Sequence, residues 1–341
     1  MNTYLNLKNM IFTLSIALGG GFCVDTHAMY RYTINSDGNY DTAIHTPHAY
    51  KILHTLEQKM PAIGDTPLFT SLLDIYKNLS PREINALRNY WKSSNFNSEL
   101  QDKRNIKLIV DYAQQLRRDY KDYDLICGLG QSRSYEVLTA QILAHLFNED
   151  TSRYIIIAFS GNFKYFGFPN DMKIEHYKKY LQNIGFIHHK NKKIVLCELV
   201  EGCKGLTSFM QTLRTLHSQG SYNLPEIKFN IHILSYFYFG INKMKGLVQN
   251  SDARIFSDRP MFDAQKSIFK SCPYLCYELT ATRNESARLV SSYYPIYWLV
   301  ANPLKFTPKA AAIDRMLCII DYIHQHLDDY KIDSSTLQSK L

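Results

Sequence analysis

Residues 123–238 alternate between short apolar runs and amphipathic segments, and this alternation restricts the fold more than any other feature of the sequence. The apolar runs cover residues 123–127, 153–159, 193–199 and 228–238, and the helical segments between them cover residues 134–147, 171–184 and 205–218. Unbroken apolar runs are typical of parallel strands that are buried on both faces, and the intervening helices supply the crossover connections. The sequence therefore predicts an α/β fold, a parallel sheet with helices on both faces.

Helical patterns flank this region on both sides. Ser80 and Glu83 form a capping-box pattern around Pro81, and residues 105–120 and 310–327 have apolar positions at helical spacing. These patterns predict a helical N-terminal extension over residues 29–120. The α/β domain then covers residues 121–341 and ends with the C-terminal helix.

The first 28 residues have the layout of a secretory signal peptide. Lys8 precedes an apolar run over residues 11–24, and Thr26-His27-Ala28 has the small-x-small form of a cleavage site. We expect cleavage after Ala28 and a secreted or periplasmic protein; the alternative is a buried N-terminal helix. No other stretch approaches about 20 apolar residues, so we expect no transmembrane span in the mature chain.

Charge and cysteine content exclude several classes of protein. The chain carries 39 Lys and Arg against 31 Asp and Glu, a formal charge of +8 that is spread along the sequence. This excess permits an anionic ligand, but it does not predict specific nucleic-acid binding. Seven cysteines in 341 residues are too few for a disulfide scaffold.

The first candidate site is a glycine-containing loop after the first apolar run. Its proposed ligand-binding residues are Gly128, Gly130, Gln131, Ser132 and Arg133. Glycines permit tight turns, and the N–H groups at the following helix start, with an Arg, suit an anion such as phosphate. The spacing matches neither the dinucleotide fingerprint nor a P-loop, and the alternative is an ordinary turn.

The second candidate site follows the third apolar run. Two acids, Glu198 and Glu201, precede a short loop and a helix, and the proposed phosphate-binding residues are Gly202, Lys204, Gly205 and Thr207. The acids suit sugar hydroxyls or a Mg²⁺ ion, and the loop suits a phosphate at the helix start. The alternative is a helix-start pair between Glu201 and Lys204. Ser160-Gly161-Asn162, after the second run, either lines the same cleft or forms a simple turn.

The two loops together resemble those of the type I phosphoribosyltransferase family. The stretch from Cys197 to Gly205 resembles the acidic loop that grips phosphoribosyl pyrophosphate in purine-salvage members, and residues 128–133 resemble the pyrophosphate loop. The resemblance covers about residues 120–240. Cys197 replaces the first acid of the family pattern, and the positions of Gly202, Cys203 and Gly205 differ from it as well.

The resemblance implies a Rossmann-like, phosphoribosyltransferase-like core and a specific chemistry. Glu198 and Glu201 would be the catalytic acids, with Glu201 matching the residue often assigned as general base and Glu198 holding Mg²⁺. The ligand would be phosphoribosyl pyrophosphate or a similar nucleotide, and the reaction a phosphoribosyl transfer in which Mg²⁺ and Arg133 stabilise the leaving pyrophosphate. The alternatives are a non-catalytic secreted binding or interaction protein that retains the fold, and an unrelated hydrolase at the same sheet edge.

Overall fold

A computed structural model describes ten segments of the chain, all within the unit His45–Leu341. They are residues 46–92, 103–130, 133–161, 163, 167–187, 193–200, 204–220, 226–233, 288–291 and 293–331. The predicted signal peptide, residues 1–28, lies outside the described residues.

In the described part of the chain, four helices precede the sheet. They are α1 (Thr46–Lys59), α2 (Leu68–Asn78), α3 (Pro81–Lys92) and α4 (Lys103–Asp119). The capping box predicted at α3 is confirmed: the Ser80 N–H donates to Glu83 at 2.8 Å, and the Glu83 N–H donates to the Ser80 hydroxyl at 3.3 Å. These two bonds satisfy N–H groups that the first turn of a helix otherwise leaves unpaired.

Strands and helices then alternate as the apolar runs predict. The elements are β1 (Leu125–Leu129), α5 (Ser134–Leu146), β2 (Tyr154–Ile157), α6 (Asp171–Asn183), β3 (Lys193–Val200), α7 (Lys204–Ser218), β4 (Glu226–Ile233) and the later α8 (Ala310–Gln325). The four strands form a parallel sheet in the order β2-β1-β3-β4. The predicted parallel sheet is therefore confirmed.

Buried side chains alternate along the strands between two apolar clusters. Ile126, Val195 and Cys197 join a cluster with residues of α1–α5 and α8. Leu125 and Leu196 join a second cluster with residues of α6 and α7. Because successive strand residues point to opposite faces, the two clusters lie on opposite sides of the sheet, and helices cover both faces as predicted.

Buried polar contacts tie the leading helices to α8. Arg88 of α3 donates through Nε and Nη2 to the Asp321 carboxylate, at 3.0 and 2.8 Å. The Tyr76 hydroxyl of α2 donates to the same carboxylate at 2.7 Å. A buried carboxylate is tolerated when it accepts several such bonds, and Asp321 thereby joins three helices.

The aromatic stretch near residue 295 packs on α6. The rings of Tyr177 and Trp298 are stacked with centroids 4.2 Å apart, and Tyr293 contacts both. Tyr293 and Trp298 are buried, while Ile296 and Tyr297 are exposed. One side of this stretch thus completes the core beside α6. Within the described ranges, no helix has both the length and the apolar composition needed to cross a bilayer.

Candidate functional site

The sheet brings the two candidate loops side by side. In the sheet, β2 pairs with one edge of β1 and β3 pairs with the other edge. Gly128 of β1 lies opposite Cys197 of β3. The loops after β1 and β3 therefore begin at adjacent carboxyl ends. In open parallel sheets this point of reversal is where ligands bind, because loops diverge there and leave a crevice.

The loop after β1 turns sharply at Gly130. Its φ is +61°, and a Cβ at this position would lie 2.7 Å from the Phe159 carbonyl oxygen. The Gly130 N–H donates to the Ile157 carbonyl at 2.8 Å. Both the backbone conformation and the close approach of the loop after β2 therefore require glycine here. Gln131 and Ser132 of the predicted site lie outside the described residues.

Arg133 ends this loop, and its side chain is turned into the protein. It is 3% exposed, and its guanidinium donates to Glu136 at 2.5 Å. The same group lies 4.7 Å from the centroid of the Tyr112 ring. The Arg133 guanidinium is therefore directed toward Glu136 and Tyr112 inside the protein. Sequence reasoning missed Glu136, although an acid three residues after an Arg in a first turn is a recognisable signal.

Cys197 takes the place of the first acid in the family pattern, and its thiol belongs to the core. It is fully buried in the cluster that contains Ile126. Burial raises the pKa of the Cys197 thiol to about 12, against the opposing effect of the nearby Arg133 guanidinium. A neutral, buried thiol is neither a nucleophile nor an acid at neutral pH.

Glu198 is the next residue of β3, so its side chain leaves the opposite face of the strand. It is buried and lies opposite Ile231 of β4. Its predicted partner Glu201, together with Gly202, lies outside the described residues. A carboxylate buried at a strand's carboxyl end has its desolvation offset only by hydrogen bonds or a cation.

A magnesium ion suits a carboxylate donor of this kind. Mg²⁺ usually binds one or two carboxylates and completes its shell with water and substrate phosphates. Glu198 offers one such oxygen donor at the predicted edge. Among the described residues there is no group of three or more His, Cys, Asp or Glu side chains that could hold a metal by itself.

The first turn of α7 faces the loop after β2. A Cβ at Gly205 would lie 3.8 Å from the Gly161 carbonyl oxygen, an ordinary van der Waals distance. Neither a positive φ nor packing against the residues that the structure describes therefore requires glycine at position 205. In the middle of a helix, glycine is less stable than alanine by about 0.5–1 kcal/mol, so helix propensity does not favour glycine at this position either. Lys204 opens the helix, and Thr207 follows within the same turn, partly exposed.

The loop after β2 (residues 158–161) forms the third side of this edge. Its Phe159 carbonyl approaches Gly130, and its Gly161 lies beside Gly205. The Ser208 hydroxyl of α7 accepts a hydrogen bond from the Phe163 N–H at 3.2 Å. Ser160 and Gly161 therefore belong to a loop that lies next to Gly130 and Gly205, and Asn162 of the same prediction lies outside the described residues.

Comparison with known proteins adds no relative. No protein-family model matches the chain, and neither a curated protein nor a solved structure matches it.

Proposed function

We propose that this chain binds a phosphoribosyl or nucleotide ligand, with phosphoribosyl pyrophosphate and Mg²⁺ as the leading candidates, at the carboxyl edge of β1 and β3. The observation that carries the proposal is the pairing of Gly128 with Cys197, which joins the two candidate loops at the reversal of strand order. The sequence resemblance supplies the ligand class, and the sheet geometry supports the location.

The proposed roles follow from the chemistry of each group. The first turn of α7 presents N–H groups and a partial positive charge to a phosphate, and Gly205 lets that phosphate approach the backbone closely. Glu198 and Glu201 accept hydrogen bonds from ribose hydroxyls. In a transfer reaction these carboxylates also stabilise positive charge that develops on the ribose. Mg²⁺, when bound, neutralises the charge of the pyrophosphate group.

One observation favours the second candidate, a non-catalytic binding protein that retains the fold. Cys197 occupies the position of the first acid, and its buried thiol is held neutral by a pKa near 12. One of the two adjacent acids in the family pattern is therefore missing, while Glu198, Lys204 and Gly205 of the predicted site are present. Binding without transfer is the expected behaviour of such a site.

The test is calorimetric titration of the full chain with phosphoribosyl pyrophosphate and Mg²⁺. We expect micromolar binding that is lost in Glu201→Gln and weakened in Glu198→Gln. Glu175→Gln removes an acid from the surface of α6, so it serves as the control and retains binding. A folded protein that does not bind would overturn the proposal. Release of pyrophosphate in the presence of purine or pyrimidine bases would separate transfer from binding alone.

A further inference from the structure

The loop after β2 spans two candidate loops that belong to different strands. β1 lies between β2 and β3 in the sheet, yet the loop after β2 reaches α7, which follows β3. On its way it passes the carboxyl end of β1, where the Phe159 carbonyl meets Gly130. This loop therefore lies next to both Gly130 and Gly205, which border the two candidate loops.

Two tyrosine hydroxyls of α6 hold the start of this loop. The Ala158 N–H donates to the Tyr180 hydroxyl at 2.7 Å, and the Tyr177 hydroxyl donates to the Ala158 carbonyl at 3.2 Å. Among the described strands, β2 is at one end of the sheet and its last residue is Ile157. The two hydroxyls therefore satisfy both backbone groups of the first residue beyond the strand, as a neighbouring strand otherwise would.

These hydroxyls are not needed for packing. Tyr177 and Tyr180 are buried in the aromatic cluster with Phe159, Tyr293 and Trp298. Burial raises the pKa of both tyrosines. A phenylalanine ring would fill the same space, but it would leave one backbone group of the buried Ala158 without this hydrogen bond. What the hydroxyls add is the fixed position of Ala158.

We propose that Tyr177 and Tyr180 are positioning residues of the ligand site: they fix Ala158 so that the loop over residues 158–161 forms the third wall of the crevice. This inference rests on the proposed function. It assigns the two tyrosines no contact with the ligand. They act through the backbone of the loop, whose far end lies beside Gly205.

The experiment compares Tyr177→Phe, Tyr180→Phe and Tyr293→Phe in the full chain. Tyr293→Phe is a matched control, because its hydroxyl also donates to a buried carbonyl in the same cluster, that of Trp298 at 3.1 Å. The carbonyl of Tyr293, which accepts the Ser160 N–H, is retained in this variant. Each protein is titrated with phosphoribosyl pyrophosphate and Mg²⁺ while folded, and amide hydrogen exchange is followed in the loop and in the first turn of α7.

We expect Tyr180→Phe to raise the dissociation constant about tenfold and Tyr177→Phe to raise it less, since the longer bond is the weaker one. Exchange should rise over residues 158–161 and around Gly205. Tyr293→Phe should leave affinity near that of the wild type even where its melting temperature falls. Wild-type affinity in both α6 variants, or an equal loss in all three, would overturn the positioning role alone. Failure of the wild-type protein to bind would overturn the proposed function and this inference together.

Discussion

Arg133 and Glu136 form an ion pair inside the protein, at the start of the helix that follows β1. The distance from the guanidinium to the carboxylate is 2.5 Å, and the side chains are 3% and 7% exposed. Charges so deeply buried depend on each other, because neither has water as an alternative partner. The pair joins the candidate phosphate loop to the core beneath Tyr112.

Removing one charge of this buried pair should lower the free energy of unfolding much more than removing one charge of a surface pair. We expect Glu136→Gln to lower the free energy of unfolding by about 3–5 kcal/mol, because the Arg133 charge stays buried without its counter-charge. Denaturant titration measures the loss. Glu175→Gln breaks another i,i+3 pair, with Lys178, in which the side chains are 46% and 19% exposed. Its cost should stay below about 1 kcal/mol. Equal costs would show that the buried pair is screened like a surface pair.

Alanine at position 130 should be destabilising for two separable reasons. The backbone φ of +61° disfavours any side chain, and the new Cβ would meet the Phe159 carbonyl. Gly185→Ala tests the first effect alone, because φ there is +79° and no atom in the described part of the chain lies within 4 Å of the added Cβ. We expect about 1 kcal/mol of destabilisation at Gly185 and at least about 2 kcal/mol at Gly130. Similar values from denaturant titration would contradict a tight approach between the two loops.

Alanine at position 205 should weaken ligand binding without lowering the free energy of unfolding. Among the described residues, the added Cβ meets the Gly161 oxygen alone, at 3.8 Å, so we expect stability to stay constant or to rise by up to about 1 kcal/mol. Affinity for phosphoribosyl pyrophosphate should fall about tenfold, because the methyl group occupies space proposed for the phosphate. Gln211→Ala, at an exposed position of the same helix, should leave affinity unchanged. Unchanged affinity in Gly205→Ala would rule out close approach of a ligand there.

The Cys197 thiol should resist alkylation and make the fold sensitive to alkali. Its folded-state pKa of about 12 exceeds its ordinary value of 9.0, so its contribution to stability is full below pH 9 and is lost as pH rises toward 12. We expect iodoacetamide to modify Cys197 only after unfolding, as peptide mass spectrometry would show. The free energy of unfolding should fall less between about pH 8 and about pH 10.5 in Cys197→Ala than in the wild-type protein. Rapid modification of the native protein would contradict the buried, neutral thiol.

The mature protein should begin at Met29. The apolar run over residues 11–24 and the Thr26-His27-Ala28 site predict removal of the leader during export. N-terminal sequencing of the protein recovered outside the cytoplasm measures this directly. An Ala28→Glu variant should keep its leader, because a charged side chain does not fit the small-residue site. A native protein that retains residues 1–28 would favour the alternative of a buried N-terminal helix.

Local patterns predicted the strands and helices within a few residues. Residues 193–199 were predicted as a strand and correspond to β3, Lys193–Val200, and residues 134–147 correspond to α5, Ser134–Leu146. Such agreement is expected because buried parallel strands need unbroken apolar runs and helices need a periodic apolar face. The capping box at Ser80 and Glu83 was predictable for a similar reason, since its two hydrogen bonds join residues that are three apart in the sequence.

The direction of the Arg133 side chain was not predictable from the loop that carries it. Its position after two glycines indicates an anion-binding role. In the structure, however, the guanidinium lies inside the protein, over the ring of Tyr112 from another helix. The hydrogen bonds of the Tyr177 and Tyr180 hydroxyls could not be predicted from the sequence either. In the sequence they are two aromatic residues on the apolar face of a helix, and only the packing of α6 against the end of β2 brings them to Ala158.

The alternation of apolar runs and amphipathic segments was enough to specify parallel strands joined by helices, because burial on both faces of a sheet imposes that pattern on any chain. The order β2-β1-β3-β4 was decided by tertiary packing, since a crossover helix can return the chain to either side of the preceding strands. That order places Gly128 beside Cys197 and so makes neighbours of two loops that are some 70 residues apart in the sequence. The candidate site exists because long-range strand pairing, which no local pattern encodes, joined them.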